Sequence, residues 1–195
     1  MTLDLDAGWY AEYQLQALGT LVYSVVGISG LVIEVGCWKG NSTIKIAKTL
    51  TDGMVCAVDT WEGSVDESPN HDTVILAKEQ NIEDIFRHNI QLAGVQDNIF
   101  MFKMNWREFF EKHVHGMSNM GIRLLHIDGS HDYVSVRDNI AAALPYMVLG
   151  GVICGDDIQT AHKGREDLQG GVERAVQELL PEYVPYGNFW YWRKR

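Results

Sequence analysis

Carboxylates that close apolar runs are the chemistry-bearing feature of this chain. Asp128 ends the run Leu124-Leu-His-Ile within His126-Ile-Asp128-Gly-Ser-His131-Asp-Tyr. Asp156 and Asp157 end the next run, Gly151-Val-Ile-Cys, within Gly155-Asp156-Asp157. If neighbouring strand ends bring all three together, their repulsion calls for a cation. Oxygen-only ligands suit a hard ion such as Mg2+, octahedral, with positions left for water or substrate. The plainer alternative is one Asp capping a helix and another facing solvent, because an isolated Asp-Asp is usually a turn. Two such sites on one sheet edge favour the metal. His131, three residues past Asp128, could deprotonate a hydroxyl held there, since an unperturbed histidine titrates near neutrality. A lone His is more often structural, and this chain has seven. His126, inside a strand, reads as a core histidine. His162, in a polar stretch, is a second-choice base or a substrate contact.

A second group surrounds Glu34-Val-Gly36-Cys-Trp-Lys-Gly40-Asn41-Ser42-Thr. Gly36 and Gly40 bracket a tight turn from a strand into a helix. Glycine there admits a ligand close to the backbone, and the helix start offers N–H groups to an anionic end such as a carboxylate. The run is neither GxGxxG nor a P-loop, and many such turns need Gly for geometry alone. Asp59 ends the second strand 23 residues after Gly36, where an acid commonly accepts hydrogen bonds from ribose hydroxyls. Taken alone, a cap or a solvated loop acid explains it equally; beside the Gly turn, ribose binding is favoured. Thr60 and Trp61 follow, and Trp61 either covers an adenine face or packs under the loop.

Positioning these residues requires alternating strands and helices. Strands are expected at 31–35, 54–58, 99–103, 124–127 and 151–154. Helices are expected at 41–50, 82–93, 106–113, 133–149 (limited or kinked by Pro145) and 171–180. Segments 183–186 and 189–193 predict a hairpin turned at Gly187-Asn188. Tyr10, Tyr13, Leu15, Leu18, Leu21 and Val22 predict a leading helix within 8–26. The expected fold is α/β and Rossmann-like: a mostly parallel seven-stranded sheet, helices on both faces, and an antiparallel terminal hairpin. Residues 1–30 form a helical lead-in, and 31–195 form one domain. The polar stretches 62–72 and 159–170 read as loops on the carboxyl edge, where such sheets bind ligands.

The chain has 195 residues, and 16 Lys+Arg against 26 Asp+Glu give a formal charge of −10. That length fits one domain with a full core. The acidity argues against general nucleic-acid binding, because phosphate backbones are repelled; the ending Arg193-Lys194-Arg195 reads as a solvated tail. Cys37, Cys56 and Cys154 lack CxxC spacing and sit in or beside apolar runs, so they are expected as buried thiols in a reducing, cytoplasmic setting. Neither a signal peptide nor an apolar run of about 18 residues is visible, so no membrane partner is expected.

In order and spacing these motifs resemble class I S-adenosylmethionine-dependent methyltransferases. More narrowly they resemble the macrocin O-methyltransferase (TylF-like) group, with wider similarity to metal-dependent enzymes acting on catechols and cephalosporins. The resemblance runs from about Val32 to Glu178, and Gly171-Val-Glu-Arg-Ala-Val adds to the three motifs above. It implies that Glu34, Gly36 and Gly40, with Asn41 and Ser42, line the methionine side of S-adenosylmethionine. Asp59, with Thr60 and Trp61, would bind the ribose side, and Asn105 and Trp106 would face the adenine, although Asn105 stands where many such enzymes carry Asp. Asp128, Asp156 and Asp157 would hold Mg2+, and His131 would be the general base beside Asp128. The implied reaction methylates a hydroxyl of a small molecule. The site would be open, or closed by the loops 62–72 and 159–170, or by another subunit of a homo-oligomer. Candidate pocket walls are Trp9, Tyr10, Tyr13, Trp61, Tyr133 and His162. Two rivals stand: an NAD-binding dehydrogenase-like protein, disfavoured by the missing GxGxxG, the Asp triplet and the hairpin, and a non-catalytic protein that keeps the fold.

Overall fold

Unbroken apolar runs belong to strands covered on both faces. The computed structural model, which describes residues 2–6, 9–64, 72–116, 120–159 and 170–195, places them so. Strands β1 (Leu31–Val35), β2 (Val55–Asp59), β3 (Ile99–Lys103), β4 (Ile122–Ile127) and β5 (Met147–Gly155) run parallel. The hairpin of β6 (Val184–Tyr186) and β7 (Phe189–Arg193) adds the antiparallel edge through β5. The order β3-β2-β1-β4-β5-β7-β6 reverses between β1 and β4, the point at which open sheets of this kind gather ligands.

The helices are α1 (Glu12–Ser24), α2 (Asn41–Thr49), α3 (Asp72–Glu79), α4 (Ile82–Leu92), α5 (Trp106–Phe109), α6 (Tyr133–Ala143) and α7 (Gly171–Leu179). One sheet face is covered by α1, α2 and α4, whose Leu18, Val22, Ile46, Phe86 and Ile90 share a core with Val32, Val55 and Leu124. The other is covered by α5, α6 and α7, whose Phe109, Ile140 and Val176 meet Ile33, Val58, Leu125 and Trp190. The lead-in is therefore part of the domain's core rather than an appendage.

Three elements differ from expectation. Helix α6 stops at Ala143, and a 3-10 turn, Leu144–Tyr146, carries the chain into β5 at Met147. Pro145 has no N–H to continue the helix, and the register of β4 with β5 shifts between Ile122 and Leu124. Helix α5 passes into a π-helical turn, Phe110–Val114. Helix α3 begins at Asp72, the last residue of the 62–72 stretch; among its residues only Val74 is buried, so no apolar stripe announces it. The three cysteines are buried and unpaired as thiols. Among the described residues no helix is long and apolar enough to cross a membrane.

Candidate active site

Register decides which strand ends meet. Val35 pairs with both Val58 and Ile127, and Ile127 pairs with Gly155. Gly36, Asp59, Asp128 and Asp156 therefore leave the sheet side by side. Gly36 has φ +86°, and a Cβ on it would lie 2.1 Å from the Asp128 carbonyl oxygen. This glycine is demanded first by the approach of two strand ends. Gly40, at φ +92°, caps α2, and a Cβ there would press to 3.1 Å from the Phe86 ring. A cavity of about 380 Å³ opens over these ends, within the roughly 300–1,000 Å³ of small-molecule sites.

Gly36, Asn41, Ser42, Asp59, Thr60, Asn105 and Trp106 line this cavity. Asp59 clamps the turn beneath it. Its Oδ2 accepts from Cys37 N (2.7 Å) and Trp38 N (2.8 Å), and its Oδ1 from Trp61 N (2.7 Å). A carboxylate offers about four acceptor positions, so one on Oδ1 remains for a ligand hydroxyl. Burial pushes the Asp59 carboxyl up, against the downward pull of those N–H groups. Asn105 caps α5 by accepting from Arg107 N (2.9 Å). Cys37 also lines the cavity, but burial, then the Glu34 and Asp59 charges, hold its thiol well above the usual range. It stays protonated and is no nucleophile.

At the other end of the cavity, Asp128, His131 and Asp157 converge. His131 Nε2 lies 3.1 Å from Asp157 Oδ2 and 3.8 Å from Asp128 Oδ1. One donor atom from each of the three falls within 4.8 Å of the others, a spacing that fits a metal ion. The opposite oxygens are anchored: Tyr10 O–H donates to Asp128 Oδ2, and Asn188 Nδ2 donates to Asp157 Oδ1 (2.8 Å). Asp157 adopts φ +59°, a left-handed backbone that Asp tolerates better than most non-glycine residues. Asp156 is excluded from the trio. Both of its oxygens accept from Gln14 Nε2, at 2.6 and 2.5 Å. Burial, then the charges of Asp128 and Asp157, push its carboxyl up to about 7. Among the described residues the donor atoms that come together are thus those of Asp128, His131 and Asp157, while Gln14 of α1 holds the expected third aspartate, Asp156.

The lead-in reaches the cavity. Leu5, Asp6, Trp9 and Tyr10 form part of its wall. Trp9 stacks on Trp38 at 5.5 Å, and Asp6 accepts from Trp38 Nε1 (2.6 Å) and Lys39 Nζ (2.9 Å). Asn89 of α4 binds the backbone of Asp4 through both sides of its amide (2.9 and 2.8 Å).

Several expected site residues lie elsewhere. Glu34 is fully buried between Thr43 Oγ1 and His126 Nδ1 (3.1 Å) and does not reach the cavity. His126 is indeed a core residue; burial lowers its pKa, but the Glu34 bond and charge outweigh this and raise it. Gly40 caps α2 without lining the cavity. Trp61 packs under the loop, against Phe86 at 5.2 Å, with its Nε1 on Trp38 O (2.9 Å). Tyr13 packs on Tyr186, and Tyr133 donates to Glu178 (2.5 Å). His162 and most of the stretches 62–72 and 159–170 lie outside the described residues. Gln14 and Asn188 were not singled out from the sequence; they lie 142 and 31 residues from the aspartates they hold, and no local motif marks them.

Comparison with known proteins finds the same fold. The structure of an O-methyltransferase from Bacillus cereus in complex with S-adenosylhomocysteine superposes with a TM-score of 0.67 at 20% identity, covering 96% of this chain and 83% of that one. TomG of Streptomyces achromogenes, an O-methyltransferase solved with S-adenosylmethionine, gives 0.68 at 14%, covering 98% and 84%. The O-methyltransferase NovP gives 0.67 at 20%, covering 92% and 78%. A sequence search of curated proteins finds no significant match. The sheet is thus the one these enzymes share, and the model of the methyltransferase domain family matches residues 33–158, from β1 through the Asp156-Asp157 pair. This chain belongs to the methyltransferase domain family.

Proposed function

We propose that this chain is an S-adenosylmethionine-dependent O-methyltransferase for a small-molecule hydroxyl, related to the macrocin O-methyltransferase group, with a divalent ion held by Asp128, His131 and Asp157. The observation that carries this reading is one cavity joining the Gly36–Asp59 turn to the carboxylate–imidazole trio. The complexes of the Bacillus cereus enzyme and TomG support the cofactor. TomG's involvement in tomaymycin synthesis supports a natural-product acceptor; a sugar hydroxyl and a catechol are the other acceptor classes.

When bound, S-adenosylmethionine supplies an electrophilic methyl group and the ion supplies positive charge beside the acceptor oxygen. The chain's residues do the rest. Asp59 offers its remaining acceptor position to a ribose hydroxyl. Trp9 and Trp38, stacked on one another, give the cavity an apolar wall, and the carboxylates favour a cationic sulfonium. Holding two reactants in line can contribute about 7–11 kcal/mol to lowering such a barrier. A second reading rests on the 3.1 Å contact of His131 with Asp157: without an ion, Asp157 orients His131 as the base that takes the hydroxyl proton. In that reading Nε2 carries the proton shared with Asp157 and Nδ1 takes the proton of the hydroxyl, whereas an ion would occupy Nε2, so chelation separates the two roles.

The test is calorimetry with S-adenosylhomocysteine and with NAD, followed by a screen of catechols and hydroxylated sugars with Mg2+, Mn2+ or EDTA. Binding of S-adenosylhomocysteine but not NAD, and turnover abolished by EDTA, are expected. NAD binding would overturn the methyltransferase reading, and undiminished turnover in EDTA would transfer His131 to the base role.

A further inference from the structure

Beneath the Gly36–Gly40 turn, Glu34 and His126 form a buried polar pair that does not line the cavity. They are register partners across β1 and β4, so their side chains share one sheet face. Glu34 Oε2 accepts from Thr43 Oγ1, and Glu34 Oε1 lies 3.1 Å from His126 Nδ1. An ionised carboxylate only accepts, so the ring carries its proton on Nδ1. His126 Nε2 has no partner among the described residues, which leaves Glu34 as the one hydrogen-bonding contact of the ring. Phe189 stacks on the imidazole at 6.2 Å. Packing alone does not call for such a pair, because apolar side chains of similar volume often serve a core as well or better. What the pair holds is the start of α2. Thr43 is the third residue of that helix and is fully buried. The two residues before it, Asn41 and Ser42, line the cavity, and their N–H groups have no carbonyl within α2 to donate to. Asp59 thus fixes the entry of the turn, through Cys37 N and Trp38 N, and Glu34 fixes its exit, through Thr43.

We propose that His126 is a positioning residue for the cofactor: it orients the Glu34 carboxylate, which through Thr43 sets where the first turn of α2 meets the cavity. This rests on the S-adenosylmethionine reading of the preceding section and is independent of the divalent ion.

Calorimetry of the full chain with S-adenosylhomocysteine, beside melting curves, tests this without any acceptor. His126→Phe keeps a ring on Phe189 but removes the donor to Glu34. It is expected to weaken S-adenosylhomocysteine binding at least about fivefold, the lower end of the range for coupled sites. His126→Asn returns an amide N–H near the lost Nδ1–H and leaves a void where the ring was. It is expected to bind S-adenosylhomocysteine more tightly than His126→Phe, whichever of the two melts lower, so that affinity follows the donor and not the stability. Thr43→Val keeps the shape of the side chain and breaks the link to α2. A loss similar to that of His126→Phe is expected, and the double variant should lose less than the product of the separate losses. Affinity in His126→Asn no better than in His126→Phe would make His126 a packing residue and overturn the proposal, as would unchanged affinity in Thr43→Val. Should either His126 variant fail to fold, Thr43→Val decides alone. Absence of S-adenosylhomocysteine binding by the unmutated protein would remove the methyltransferase reading and the proposal together.

Discussion

Asp59 shows how one carboxylate can serve scaffold and ligand at once. Its three backbone N–H bonds hold the turn that carries Cys37 and Trp38 into the cavity wall. Asp59→Ala removes these acceptors together with the one offered to a ribose hydroxyl. We expect S-adenosylhomocysteine to bind at least tenfold more weakly, about 1.4 kcal/mol, with a lowered thermal midpoint. Calorimetry beside a melting curve checks both; a lowered midpoint with unchanged affinity would assign Asp59 to the scaffold alone. The same doubling of roles limits what sequence can tell. Asp128, His131 and Asp157 are legible because each lies at or just past the end of an apolar run. The partner of Asp156 is not, because Gln14 reaches it across 142 residues.

At the scale of elements, the strands were legible as short apolar runs, in the covered β1 and in the half-exposed edge strand β3 alike. β1 and β3 match expectation to the residue. The start of β5 was hidden because Pro145 and the Gly150-Gly151 pair look like breakers, and α3 because its face is mostly uncovered. Gly36 is the tightest joint between elements. Gly36→Ala places a Cβ against the Asp128 carbonyl and strains a left-handed backbone. We expect a loss of about 3 kcal/mol or more, seen in chemical unfolding, with cofactor affinity lost as well. A loss under about 1 kcal/mol would mean that the two strand ends can separate freely. The lead-in offers a gentler probe. Asn89→Ala leaves the Asp4 backbone and Lys39 O without their amide partner. Destabilisation of about 1–3 kcal/mol should be accompanied by faster proteolysis before α1; an unchanged cleavage rate would show that Asp6 and Trp9 hold the cover without it.

Across the whole molecule, the lead-in is pinned at both ends of the sheet. At the site, Tyr10 and Gln14 hold Asp128 and Asp156. At the opposite edge, Arg123 of β4 is 4% exposed. It donates to Ile28 O (2.9 Å) just past α1 and to the Asp52 carbonyl (2.5 Å) and carboxylate (3.0 Å) in the turn between α2 and β2. The Arg123 hydrogen bonds, then the Gly27 N–H, hold the Asp52 carboxyl below its usual range. A depressed acid contributes stability that is present above its unfolded value, about 3.9, and is lost as pH falls from there through the folded value. The −10 charge works the other way near neutrality, where self-repulsion opposes the compact state. Melting curves from pH 7 to pH 2 on the unmutated protein and Asp52→Asn should therefore differ in slope. The variant should start lower at pH 7, because a buried guanidinium has lost its counter-charge, and should lose less below about pH 4. Parallel curves through that range would show that the ion pair carries none of the acid sensitivity, leaving the backbone carbonyls as the partners that keep Arg123, and with it the end of α1, in place.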